Sequence, residues 1–565
     1  MKKVLALVIF LFSCSTKTTL QMPLVTQIER IEGQQLENRI FFLANHQDFK
    51  KALSLYYENK DSGHRPHLLM HMAKNLLNEG LQHSDIKIQL LSVFASKIAG
   101  YEKCTSLLKQ ALLSPYPEVQ LAALHTLSNF DSEEAIETIQ KAFSSNFYLV
   151  RIEACYILAQ KKRLESIEQI EAFFHKAPDE VKPYFCRLFA FLGNPSSLNY
   201  LKNALISSQI DMRLQAILQS AAFQRREMIP YIKQVLTHPN FKEQEAALFA
   251  LSQLKDESSI KMFEQLLDSP FENVGLMASF ALYHLGQFKQ AGHIEKYAKK
   301  DNLFAIHLLG QMATDPSLLK EKLLSRSAHV RFNAFLSLLE RKEKGILGLL
   351  KDYLFQEEHD LGFYPIFSNG MSMQAIKVFS GLSKQIALNP HLAQSSYQTR
   401  LYLLTKAFEY DEEELLPIAE MVLKSNETQL IPIVVHMLET LKSPKAVTLL
   451  KHFQQKMGAP FVRMYCNLAL FHLKEKGNYF NELKIWLEKH LDQDFIQLKA
   501  TDETLSFEKK YELTPEEKSQ LLIESTLLLA QSDQQGCLDL LLNAISKTKK
   551  ENRYALAGLL MKALE

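Results

Sequence analysis

Apolar residues recur along this chain at an interval of 31 residues. Counting from Ala123, the interval lands on Ala154, Phe185, Ala216, Ala247 and Ala278. Four residues further along each unit lie Leu127, Leu158, Phe189, Ser220, Leu251 and Leu282. A separation of four places both columns on one face of a helix, with Ser220 the exception to their apolar character. A second helix follows in each unit. Its columns are Ile136, Ile167, Leu198, Ile229, Ile260 and Ala291, then Ile139, Ile170, Leu201, Ile232, Phe263 and Ile294, then Phe143, Phe174, Leu205, Leu236, Leu267 and Ala298. Spacings of three and four again make a helical stripe. One step back reaches Ser92, Ser96, Leu108 and Leu112, which starts the array near residue 84.

Between the two helices of a unit stand turn and capping residues: Asn129 with Asp131 and Ser132, Gly193-Asn194-Pro195, Asp256 with Ser258 and Ser259, and Gly286. Gly and Pro end one helix while Asp, Asn or Ser caps the next, so each unit is a hairpin of two antiparallel helices. The register slips between Leu303 and Leu324 and resumes at Val330, Ala334, Leu338, Leu347, Leu350 and Leu354. It returns from Leu403, from Ile433, from Val462 and from Ser525. The chain therefore divides into a helical region at 26–83, a repeat array at 84–354, an insertion at 355–398 and further repeats at 399–490. A loop at 491–515 and a C-terminal hairpin and cap at 516–565 complete it, with helix 553–564 expected to close the end of the array.

The first helices open on a shared motif: Glu118-Val119-Gln120 before Ala123, Leu149-Val150-Arg151 before Ala154, Asp211-Met212-Arg213 before Ala216, and His329-Val330-Arg331 before Ala334. Phe461-Val462-Arg463 before Cys466 repeats it. This resembles HEAT repeats, in particular the short HEAT-like class also found in phycobiliprotein lyases. The arginine is lost at Lys182, Gln244 and Gly275. The resemblance implies an all-α fold, an α-solenoid of about twelve HEAT-like hairpins, and a protein-binding role, since such arrays mostly hold other proteins along a curved face. The arginine itself is expected to reach carbonyls or an acid in the adjoining unit, a structural ladder rather than a ligand site.

Composition changes this picture little. Hydrophobic residues make up 47% of the 565 and charged residues 23%, with 18 Gly and 18 Pro, too little punctuation for an all-β chain. Lys and Arg total 65 against 63 Asp and Glu, so no global field attracts a polyanion, and no nucleic-acid partner is expected. None of the six cysteines forms a CxxC pair, and Cys155, Cys186 and Cys466 read as small apolar fillers.

The N-terminus reads as an address. Met1-Lys2-Lys3 is basic and Val4 to Phe12 is apolar, too short for a permanent span. Leu11-Phe12-Ser13-Cys14 resembles the lipobox of bacterial lipoproteins, with Phe12 departing from the small residue usual there. The resemblance implies cleavage of a signal peptide at 1–13, lipidation of Cys14 and a polar tether at 14–25. Ser15, in place of the Asp that favours inner-membrane retention in that family, implies an exported protein anchored at the periplasmic face of the outer membrane. An ordinary signal peptide or a retained anchor is the alternative.

The chain holds no GxGxxG, P-loop, GxSxG or HExxH. HEAT-like di-iron hydroxylases carry His-Glu pairs, and this chain has no His-Glu dipeptide. Of His64, His67 and His71, the last two are four apart, but no cysteine or carboxylate set completes a zinc site. No catalytic residue, metal or cofactor is therefore assigned. The insertion at 355–398 carries Phe363, Tyr364 and Phe367, which either fold down to plug the solenoid or offer a partner-binding surface. The reading is a non-catalytic, membrane-anchored scaffold or adaptor of the bacterial cell envelope. The alternatives are a HEAT-like enzyme or ligand-modifying factor of the bilin-lyase kind, or a cytoplasmic scaffold.

Overall fold

The computed structural model describes residues 27–46, 48–59, 65–100, 104–161, 167–355, 363–368, 372–377, 390–425, 429–456, 460–490, 515–530, 537–548 and 550–564. The leader, Cys14 and the tether, and the loop at 491–514, lie outside the described residues. The chain opens with α1 (Gln27–Asn45), α2 (Phe49–Glu58), α3 (Pro66–Leu81), α4 (Ile86–Ala99), α5 (Thr105–Ala111), α6 (Pro117–Leu127), α7 (Glu133–Lys141) and α8 (Tyr148–Gln160). It continues through α9 (Ile167–Lys176), α10 (Phe185–Leu192), α11 (Pro195–Leu205), α12 (Ile210–Ala222), α13 (Ile229–Val235), α14 (Phe241–Gln253), α15 (Ile260–Leu266) and α16 (Glu272–His284). Then come α17 (Ala291–Lys299), α18 (Leu303–Gly310), α19 (Ser317–Lys322), α20 (Ala328–Glu340), α21 (Leu350–Phe355), strands β1 (Phe363–Ser368) and β2 (Ser372–Lys377), and α22 (Pro390–Ala407). The chain ends with α23 (Glu412–Lys424), α24 (Ile431–Leu441), α25 (Pro444–Gln455), α26 (Pro460–His472), α27 (Tyr479–His490), α28 (Pro515–Ala530), α29 (Cys537–Lys547) and α30 (Lys550–Ala563).

Two compact units result. One gathers residues 1–158, 463–499 and 513–565; the other gathers 159–462 with 500–512. The second is an α-solenoid segment in which first helices stack on first helices, α12 on α14 and α14 on α16, each backed by its own second helix. The 31-residue columns are its core and that of the matching hairpins in the first unit. From Ala123 to Ala278 and from Leu127 to Leu282, every member is at most 1% exposed. Ser220 fits because its hydroxyl donates to the Ala216 carbonyl one turn back, 2.6 Å away. On the second helices the middle column, Ile139 to Ile294, is buried, while Leu198, Ile229, Ile260 and Ala291 of the first column are half-buried. The first helices bury more than the single stripe that periodicity predicts. In α16 every residue from Val274 to Tyr283 is buried, as a helix apolar on all sides must be.

Five of the first helices, α12, α14, α16, α20 and α26, end in the same way. The carbonyls of Ser220, Leu251, Leu282, Leu338 and Leu470, from the second apolar column, accept a bond from the amide five residues on, at 2.8–3.1 Å. The residue before that amide is left-handed: Gln224, Lys255, Gly286, Lys342 and Lys474. This is the Schellman closure, which glycine enters without strain and lysine does not. Lys255→Gly is therefore expected to stabilise the second unit by about 0.5–1 kcal/mol, read as a raised unfolding midpoint in urea.

Two features depart from expectation. The repeat-type helix α22 begins at Pro390, inside the stretch assigned to the insertion, and packs on α20 and α21; its Tyr402 hydroxyl donates to Glu340 at 2.8 Å. The rest of the insertion includes an antiparallel hairpin with Phe363 opposite Lys377 and Ser368 opposite Ser372. The last helix, expected at the end of the array, lies instead against α3 and α4 near its start, flanked by α28 and α29. All residues from Tyr554 to Met561 are buried. Small residues permit the approach. A Cβ on Gly558 would overlap the Ala95 carbonyl and lie 2.7 Å from the Ala95 Cα, and one on Gly80 would meet the Tyr554 ring at 2.7 Å.

Candidate protein-binding site

The first helices begin with a polar side chain three residues before the apolar column, and the structure shows what that side chain does. Gln89 donates to the His83 carbonyl at 2.6 Å, and Gln120 to that of Ser114 at 2.6 Å. Arg151 donates to the Ser145 carbonyl, Arg213 to that of Ser207 at 2.5 Å, Gln244 to that of His238 at 2.8 Å and Arg331 to that of Ser325 at 2.7 Å. In every case the acceptor lies six residues back, in the turn arriving from the preceding hairpin. The same side chains also reach forward. Ser114 donates to Gln89 Oε1 at 2.6 Å, Ser145 to Gln120 Oε1 at 2.7 Å, and Arg213 grips Glu243 of the next hairpin through Nε at 3.1 Å and through Nη2.

The expected ladder is therefore present and is structural. Gln244, read as a lost arginine, performs the same carbonyl bond with an amide. At Gly275 the backbone leaves no room for a side chain, since a Cβ would lie 2.9 Å from the Leu267 carbonyl oxygen. Lys182 pairs locally with Asp179 at 2.7 Å. Gln120→Ala removes both a buried donor and a buried acceptor, and is expected to cost the first unit about 1–3 kcal/mol, measured by urea unfolding.

Glu243 is 1% exposed and accepts from Arg213 and from His238 at 2.8 Å. Burial alone would raise its pKa; these partners hold it below the usual carboxylate range. Two residues on, Glu245 is also buried, but its Oε1 has no hydrogen-bond partner and burial pushes its pKa up to about 7.

The other candidates are likewise occupied. His67 faces Glu37 at 3.2 Å with Arg65 beside it, and His71 bonds Asn45 at 3.0 Å, so the two histidines do not converge. His64 lies outside the described residues, and among those described no group of three His, Cys, Asp or Glu has a metal-holding arrangement. Cys155, Cys186 and Cys466 are fully buried, and burial raises each thiol, Cys186 and Cys466 to about 12. Their thiolates are not available at neutral pH. Arg225 is spent on the C-terminus of α10, donating to the Ala190 carbonyl at 2.5 Å and the Phe191 carbonyl at 2.6 Å.

What remains is surface. Phe363, Tyr364 and Phe367 stand on β1, whose backbone runs beside α18 and α20; their side chains lie outside the description. In the first unit, Tyr57, Lys484, Glu488, Asp539, Leu540 and Asn543 line an open cavity of about 400 Å³ that sequence reasoning missed, because no local motif links these three distant segments. Among the described residues no helix is long and apolar enough to cross a membrane.

Over 131 residues the chain is 31% identical to Rho family-interacting cell polarization regulator 2 of Coturnix japonica, which is 23% of this chain and 12% of that relative's length. The CpcE–CpcF complex of phycocyanin lyase from Nostoc sp. PCC7120 aligns at 16% identity over 42% of this chain and 88% of that one, with a TM-score of 0.25. Kap121p aligns at 12% identity over 96% and 67%, with a TM-score of 0.28. Residues 105–182 match the family model for HEAT repeats, and helical hairpins of the same build continue on both sides of that stretch.

Proposed function

We propose that this chain is a non-catalytic protein-binding scaffold of a bacterial cell envelope, anchored by a lipid on Cys14 at the periplasmic face of the outer membrane. The observation that carries the scaffold reading is the fate of its polar side chains. The Arg and Gln column, Glu243 and Arg225 are all turned inward on the array's own turns, carbonyls and neighbouring hairpins. Groups spent on holding repeats together leave recognition to the outer faces, which is how repeat arrays bind proteins. The anchor rests on the basic start, the apolar run to Phe12 and the Leu11–Cys14 motif.

The test is crosslinked capture of the tagged chain from membranes, beside a Cys14→Ala version, read by mass spectrometry. An envelope protein captured only with intact Cys14, together with a lipid mass on that cysteine, supports both halves of the reading. The same soluble proteins captured by both versions, or a co-purifying small molecule with no protein, defeats it.

A further inference from the structure

In the second unit, four exposed apolar side chains stand at turns of one kind, those that lead from a second helix into the next first helix. Ile206 and Leu324 are 80% and 86% exposed, each ten residues before the apolar column of the next hairpin, at Ala216 and Ala334. Phe241 opens α14 and Phe271 is the residue before α16, 39% and 42% exposed, with their rings 5.4 Å apart. All four sit where a second helix hands over to the next first helix. The ladder side chains fix these turns from behind, through the carbonyls of Ser207, His238 and Ser325.

We propose that these turns form a bilayer-contacting edge whose tips enter the interfacial region of a lipid leaflet. The proposal rests on the anchored reading above, which puts a leaflet beside the chain. Two observations favour lipid as the occupant. Phe241 and Phe271 touch, while Ile206 and Leu324 stand in other turns with polar residues such as Ser208 and Asn240 between, so the tips form discrete points rather than the continuous apolar core that a protein interface buries. A leaflet accepts such points independently, and aromatic and aliphatic tips partition into its headgroup boundary. The charges beside the tips balance, Lys242 and Arg326 against Asp268 and Glu272, which suits a zwitterionic surface and gives a charged partner nothing to select.

Trp486 is the chain's one tryptophan, which permits a direct test. In the full chain carrying Trp486→Phe, Phe271→Trp places a reporter on the edge. Phe288→Trp places one at an exposed position on the opposite turn, between the first and second helices. Each protein is reconstituted in phosphatidylcholine vesicles with brominated acyl chains. The expected result is quenching of Phe271→Trp and unaltered emission from Phe288→Trp, with quenching lost when Ile206→Ser, Phe241→Ser and Leu324→Ser are added.

Equal quenching of both reporters, or none of either while the chain floats with the vesicles, overturns the edge and leaves the anchor standing. A Cys14→Ser chain that floats as well as the parent, with Phe271→Trp still quenched, removes the anchor and leaves the edge. An emission shift that follows protein concentration and ignores vesicles overturns the lipid assignment in favour of a second copy.

Discussion

Replacing Gly558 with valine is expected to destabilise the first unit by about 3 kcal/mol or more, the upper end for overpacking. The neighbour it would strike is the Ala95 backbone of α4, which cannot rotate away as a side chain can. Tyr554→Ala tests the same helix by removal instead of addition. That ring is fully buried against Gly80, and its loss is expected to cost about 3–5 kcal/mol. Hydrogen exchange separates the outcomes. Both variants are expected to lose protection in α3 and α4, more than 400 residues away in sequence, while α12 to α16 keep theirs. Unchanged protection in α4 would show that the last helix does not belong to that core.

The second large effect is expected at Glu245. Burial pushes its carboxyl up to about 7 from the ordinary 4.5, with Lys242 opposing the rise. Below pH 4.5 both states hold the proton and the group is neutral to stability. Between there and pH 7 the folded state keeps a proton that the unfolded state has released, so stability falls as pH rises. Above pH 7 the full penalty, about 3 kcal/mol, is in force. Glu245→Gln removes the charge, so the variant is expected to match the parent near pH 4.5 and exceed it at pH 8. Glu243, whose pKa is lowered, acts in the other direction in acid, which makes the difference between parent and variant the proper readout. Urea titrations at the two pH values, followed through exchange in α14, decide it. An equal gain at both would mean that shape, not ionisation, is responsible.

Much of the architecture was legible because a solenoid core is local. Ala123 to Ala278 and Leu127 to Leu282 are buried by neighbours one repeat away, so a fixed interval in sequence becomes a column in space. The ladder was half legible: arginine was recognised as structural, while Gln120 and Gln244 reach the same carbonyls through a side-chain amide that chemical similarity to arginine does not suggest. The turn lysines were invisible, because Lys255 and Lys342 occupy a backbone conformation that sequence associates with glycine. The placement of α30 was also missed. Periodicity reports that Tyr554 and Leu559 are buried but not by what, and the small residues Ala555, Ala557 and Gly558 were the only local sign of a close helix approach. The candidate surface was least legible, since repeat proteins vary their outer residues while keeping their columns.

The seat of α30 has a consequence for how the molecule is made. Helices α3 and α4 are made well before α30, yet the helix that packs on Ala95 follows them by more than 400 residues. A repeat array ordinarily settles hairpin by hairpin as it emerges. Here the opening hairpins must wait, incompletely covered, through synthesis of everything between. A stalled or prematurely terminated chain would carry that uncovered apolar surface permanently, and so mark itself for chaperones and proteases.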